Sequence, residues 1–230
     1  MENRNLAKAL IGFLMYVFLV PALLFIAAGT LRWPMAWVYT AALLASTLLS
    51  RLVVLIKNPD TLQERANFTS TENTEKWDRL LVMWVGLFGP MLLMVVAGLD
   101  HRYGWSGGLP RWLQSLGAVL VIAGYGVAVW AMIVNKYFSA VVRIQEDRGH
   151  TVVKRGPYRL VRHPAYAGAV WAGLALPLML DTLWVFIPAV VLVGAVLVRT
   201  AKEDDMLKEK LAGYKAYSAE TRYRIFPGIW

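Results

Sequence analysis

The residues able to do chemistry crowd into two short stretches. The first, GPYRLVRHPAYAG at 156–168, places Tyr158, Arg159, Arg162, His163 and Tyr166 directly before an apolar run. The second starts at Arg199, at the end of the last apolar run, with Glu203 four residues on. On a helix that spacing puts both side chains on one face. A guanidinium and a carboxylate so placed could hold opposite charges on two ligands at once. Pro164 suits the first position of a helix, where its missing N–H costs nothing. The free N–H groups of Ala165 and Tyr166 then form a positive helix end suited to a carboxylate or phosphate.

Taken singly, these residues have ordinary explanations. Arg155, Arg159 and Arg162 fit the basic residues that flank membrane spans on one side. His163 fits a helix cap, and Arg199 with Glu203 fits an intrahelical ion pair. Gly124 and Gly126, in VIAGYGVAVW, fit close helix contact better than a cofactor motif. Only the combination points to a site. The chemistry is also bounded by absence, since the sequence has no cysteine and three histidines, at 101, 150 and 163. Disulfides, thiolate metal sites and Cys nucleophiles are excluded, and a His-rich metal centre is disfavoured. No Ser/His/Asp arrangement is apparent.

The elements that must position these groups are membrane helices. Of the 230 residues 58% are hydrophobic and 17% charged, against about a quarter charged in soluble domains. Six apolar segments are expected, at 9–29, 36–56, 80–99, 112–134, 165–180 and 183–199. The first four match the roughly 20 residues that cross a bilayer. The last two are shorter and, separated by LDTL, read as a tight hairpin. The stretch from Ala9 to Ala28 follows Arg4 and Lys8; it is longer than a signal peptide's apolar region and reads as a retained helix.

The net charge of +9 is explained by topology rather than by nucleic acid. With the N-terminus in the cytoplasm, 19 of the 24 Lys and Arg fall on that side and three on the other. Both termini are then cytoplasmic. Trp33, Trp37, Trp77, Trp105, Trp112 and Trp184 fall near the expected boundaries. No repeat or linker divides the chain, so it reads as one domain: four N-terminal spans over 1–134, and a site-bearing part over 135–230. The hairpin brings His163 and Tyr166 near Arg199 and Glu203 at the cytoplasmic surface.

The stretch GHTVVKRGPYRLVRHPAYAG, followed by RTAKEDDMLKEKLAGYKAY and RYRIFPGIW, resembles the isoprenylcysteine carboxyl methyltransferase family. That family is related to phospholipid N-methyltransferases and more distantly to sterol reductases. The resemblance covers about residues 140 to 230, and the earlier KNPDTLQERANF and EKWDRLLV look like bacterial members. It implies an all-α, multi-pass bundle with S-adenosylmethionine held by a cytoplasmic loop and tail. His150 with Thr151, Val152 and Val153, Tyr158, the HPxY residues His163, Pro164, Ala165 and Tyr166, and Glu203 match cofactor-binding positions. A further cofactor contact falls at or near Gln145. Arg199 matches the arginine associated with the substrate carboxylate, so Arg199 and Glu203 are the expected catalytic pair. The family's paired Glu-Glu is Glu203-Asp204 here.

The implied reaction is methyl transfer to a lipophilic acceptor arriving from the bilayer, foremost the carboxylate of an isoprenylcysteine-like or other lipid-like molecule. The implied location is a bacterial inner membrane, among membrane lipids. Other readings are a phospholipid amine acceptor, an NADPH-dependent reductase, or a transporter or scaffold. The last lacks the ionisable residues in mid-helix that mark a substrate path.

Overall fold

The computed structural model describes residues 17–57, 75 and 77–230, and every regular element among them is helical. In order these are α1 (Val17–Ala28), α2 (Pro34–Lys57), α3 (Asp78–Tyr103), α4 (Arg111–Val134), α5 (Pro164–Leu180), α6 (Phe186–Lys210) and α7 (Tyr214–Glu220). A helix satisfies its own backbone polar groups, as lipid demands. Four stretches are long and apolar enough to cross a membrane: Pro34–Val53, Asp78–Tyr103, Arg111–Val134 and Leu183–Lys210. Val17–Ala28 and Pro164–Leu180 are apolar but shorter. The protein is an all-α, multi-pass membrane protein.

Two boundaries differ by several residues from the sequence reading, and a third lies outside the described residues. The first helix is described only from Val17, so Arg4, Lys8 and its expected start lie outside the described residues, as do Arg65 and Lys76. The third span runs over 78–103 rather than 80–99 and contains a π-helical turn at Trp84–Phe88. The last segment is a correction: it does not stop at 199 but continues as helix to Lys210. Hydropathy falls at Arg199, yet Lys, Glu, Met and Leu are all good helix formers. A change in polarity is therefore no helix end. The break comes at Leu211, whose backbone turns extended, and Gly213, at φ +81°, then starts α7 in a conformation that favours glycine.

α4 and α5 pack backbone to backbone. A Cβ on Gly124 would lie 2.5 Å from the Gly168 carbonyl oxygen, and one on Gly117 would lie 2.5 Å from Met179 N. Small residues thus let these helices close, as in other membrane pairs. Gly126 meets nothing, so of the two glycines in VIAGYGVAVW only Gly124 is a contact residue. At the end remote from the polar loop, buried Asp100 accepts from Ser106 N at 2.8 Å and Trp184 N at 3.2 Å. Asp181 accepts from Leu109 N at 2.9 Å. These bonds tie the α3–α4 loop to the tight α5–α6 connection and fix the hairpin that carries the site.

Candidate functional site

The polar end of the bundle is built by the 135–163 loop, the start of α5, the last turns of α6, and the tail. The tail is bound to the loop by backbone bonds, Arg162 N to Tyr223 O and His163 N to Arg224 O, both 2.9 Å. Between these elements lies a cleft of about 850 Å³ with its open mouth included. Its lining includes Gln145, His150, Thr151, Val152, Val153, Tyr158, His163, Pro164, Ala165, Tyr166, Arg199 and Glu203. All twelve residues singled out in the sequence therefore face a single space.

The loop walls owe their shape to side chains that bond back to the main chain. Gln145 is 1% exposed; its amide donates to Tyr137 O at 2.6 Å and accepts from Arg148 Nη1 at 2.7 Å. Its side chain thus holds the loop together. His150 Nδ1 accepts from Gln145 N at 3.4 Å, which leaves the proton of the neutral ring on Nε2. Burial lowers the His150 pKa to about 4, helped by Arg143 and Arg148, so the ring is neutral at pH 7. Thr151, Val152 and Val153 belong to neither helix nor strand, and no backbone–backbone bond among the described residues uses their N–H or C=O groups, although the Thr151 main chain bonds the Tyr137 side chain. The main-chain groups of Val152 and Val153, which have no backbone partner, offer a recognition edge in the cleft.

Two phenols brace the floor. Tyr217 OH donates to Tyr158 O at 2.6 Å, and Asn135 Nδ2 donates to Tyr158 OH at 3.2 Å. Burial pushes the Tyr217 pKa up to about 12 and that of Tyr158 higher still. Both phenols stay protonated. Pro164 is the first residue of α5, and the N–H groups of Ala165 and Tyr166 stand at its open end as expected.

The acidic and basic groups pair differently from the sequence reading. Arg199 and Glu203 share a face of α6, but their bonds run elsewhere. Arg199 donates through Nε to Asp78 Oδ1 at 2.6 Å and through Nη2 to Asp78 Oδ2 at 3.0 Å. Glu203 accepts from Tyr166 OH at 2.7 Å. His163 Nε2 sits 3.3 Å from Asp204 Oδ1. That carboxylate also accepts from Arg162, Lys208, Tyr214 and Arg224. Asp204 is fully buried and forms the hub joining α5, α6 and the tail.

Sequence reasoning missed Asp78 as a partner and read Asp204 only as a variant of a paired acid. The available signal for Asp78 was a carboxylate at the very start of an apolar span, where ionisable residues need partners. Asp204 carried no such local signal. Among the described residues no group of three His, Asp or Glu is arranged to hold a metal.

Comparison with known proteins finds similarity in the part of the chain that carries this cleft. Residues 117–209 match the family model described as the isoprenylcysteine carboxyl methyltransferase (ICMT) family. Protein-S-isoprenylcysteine O-methyltransferase A of Arabidopsis thaliana is 32% identical over 63 residues, 26% of this chain and 32% of that protein. A probable protein-S-isoprenylcysteine O-methyltransferase of Oryza sativa subsp. indica is 38% identical over 64 residues, 26% of this chain and 34% of that protein. The chain thus spans about a third of the length of these curated relatives. The matched region runs from the α4–α5 glycine contact through the loop to Arg199, Glu203 and Asp204, so the site-bearing part of the chain is similar to the isoprenylcysteine carboxyl methyltransferase family.

Proposed function

We propose that the protein transfers a methyl group from S-adenosylmethionine to the carboxylate of a lipophilic acceptor, isoprenylcysteine-like in chemistry. The observation that carries this reading is the convergence of His150–Val153, Tyr158, His163–Tyr166, Arg199 and Glu203 on one cleft beside membrane helices. The residues fit the cofactor. The main chain at Val152 and Val153 suits an adenine edge, and the N–H groups opening α5 suit the methionyl carboxylate. Glu203, with a single hydrogen bond from Tyr166, keeps acceptor capacity for a cationic or hydroxyl group.

Bound there, S-adenosylmethionine supplies a methyl group on a positively charged sulfur. The acceptor needs no base, because a carboxylic acid with a pKa near 4 is ionised at neutral pH. Transfer of that methyl to the acceptor oxygen would release neutral S-adenosylhomocysteine, so a negative and a positive charge would both vanish. Phe138, Val141, Met206 and Leu207 form an apolar part of the cleft lining. An apolar wall favours a step in which charge disappears. Arg199 orients the acceptor's anion, and the protein's remaining contribution is alignment of oxygen, carbon and sulfur.

In this reading the polar end faces the cytoplasm, where the soluble cofactor is found, and both termini lie on that side of a bacterial inner membrane. Residues 135–230 hold the site, 1–134 form the membrane scaffold, and the acceptor arrives sideways from the lipid. The direct test is calorimetric titration of detergent-purified protein with S-adenosylhomocysteine, beside NADPH, on wild type and Glu203→Ala. Micromolar binding of the homocysteine compound that weakens about tenfold or more on loss of the carboxylate supports the reading. Binding of NADPH alone refutes it.

A further inference from the structure

Asp78 opens α3 and lies 121 residues from Arg199 in sequence. It is fully buried. Besides taking the two Arg199 bonds, its Oδ2 accepts from Val142 N at 2.8 Å. Arg199 Nη2 donates also to Ala140 O at 2.8 Å, and the guanidinium carbon stands 5.6 Å from the centre of the Tyr166 ring. The carboxylate, a carbonyl and an aromatic face thus fix the guanidinium in position and tilt. All of these hydrogen bonds use Nε and Nη2, so Nη1 is the edge left for an anion in the cleft that Arg199 lines.

We propose that Asp78 is the positioning residue of the acceptor site. By occupying the Nε–Nη2 fork of Arg199, it restricts an acceptor carboxylate to the Nη1 edge. It also holds the main chain at Val142, part of the same wall. This inference rests on the methyltransferase reading. A carboxylate that met the whole fork would sit where Asp78 now sits, away from the cleft. A buried ion pair kept only for stability is poorly explained, because such pairs contribute little over apolar packing. A fork that must present one chosen edge does need a fixed counter-anion.

The test compares wild type with Asp78→Asn in detergent. S-adenosylhomocysteine affinity is read by titration, and turnover with S-adenosylmethionine is read on N-acetyl-S-farnesylcysteine. The expected result is a fall of about 100-fold in kcat/KM for the acceptor, the usual effect of a displacement of about 1 Å, with S-adenosylhomocysteine affinity held within about threefold. Parallel loss of affinity and turnover, or loss of neither, overturns the positioning role. If the Asn protein does not fold, Asp78→Glu restores the charge while moving the carboxylate by one methylene. It should bind S-adenosylhomocysteine normally and show the same selective loss. A Glu variant equal to wild type in turnover overturns the proposal, as does one that no longer binds. Wild-type protein that binds S-adenosylhomocysteine but methylates no carboxylate overturns the acceptor reading and the role of Asp78 together. A working wild type with an unaffected variant overturns the second alone.

Discussion

Replacing Asp204 with Asn exchanges one carboxylate oxygen for an amide nitrogen at a point where five side chains converge. Arg162 reaches it through Nε at 2.7 Å and Nη2 at 2.9 Å, Lys208 at 2.7 Å, Arg224 and Tyr214 at 2.9 Å, and His163 at 3.3 Å. Three of the five are permanent cations, and the Arg162 side chain is 5% exposed. The amide keeps the shape but removes the carboxylate common to all five, leaving only Asp205, at 3.5 Å from Arg224 and 3.9 Å from Lys208, beside two of them. It also turns an N–H group toward other donors. Breaking a buried ion pair by removing one partner costs about 3–5 kcal/mol. Lys208 and Arg224 are 30% and 23% exposed and can turn toward water, so the lower half of that range is expected. For a chain this long each kcal/mol moves the unfolding midpoint by about 2–4 °C, so a drop of roughly 6–15 °C should appear in thermal unfolding followed by tryptophan fluorescence. Arg162→Ala in the Asn background should add less than it does alone, because the two residues share one interaction. A midpoint within about 2 °C of wild type, equivalent to less than 1 kcal/mol, would refute the hub as a source of stability.

Other expectations follow from the same contacts. Gly168→Ala drives a methyl group into the Gly124 carbonyl, whereas Gly126→Ala meets nothing. The first should destabilise by at least about 1–3 kcal/mol and the second should stay within about 0.5 kcal/mol of wild type, read as paired melting curves. His150 has a folded-state pKa near 4 against an ordinary value of 6.5. The unfolded chain therefore takes up the proton first. Stability from the neutral ring is complete above pH 6.5 and is lost as the pH falls from 6.5 to 4. His150→Gln should flatten that part of the pH profile of the unfolding midpoint, and an unchanged profile would show that other groups govern it.

The apolar segments were legible because membrane spans are specified by local composition, and the four-residue step from Arg199 to Glu203 put both on one helix face as expected. That the candidate residues share one cleft was legible because many lie in a contiguous motif next to a hairpin, so a short connection brings 163–166 against 199–203. The helix end at Lys210 was not, since polarity changes at a membrane boundary while helix propensity does not. Nor were the partners of Arg199. Asp78 is 121 residues away, and no period or spacing encodes a pair brought together only by the packing of α3 against α6. Gln145 shows a subtler gap: its position in the cleft was legible, but its amide is taken up by Tyr137 and Arg148.

Glu203 and Asp204 show how adjacent residues of like charge come to do different work. Neighbours on a helix point about 100° apart, so one carboxylate turns into the cleft while the next turns toward the loop and tail. A carboxylate offers about four lone-pair sites. Asp204 spends its capacity on five side chains, whereas Glu203 accepts one bond, from Tyr166. The saturated acid is structural, and the undersaturated one keeps capacity for a ligand. The shorter side chain falls at the saturated position, where full burial leaves no room for another methylene without strain. The Glu-Asp order in this chain therefore follows from the donors around each residue, and the departure from Glu-Glu leaves the cleft-facing carboxylate untouched.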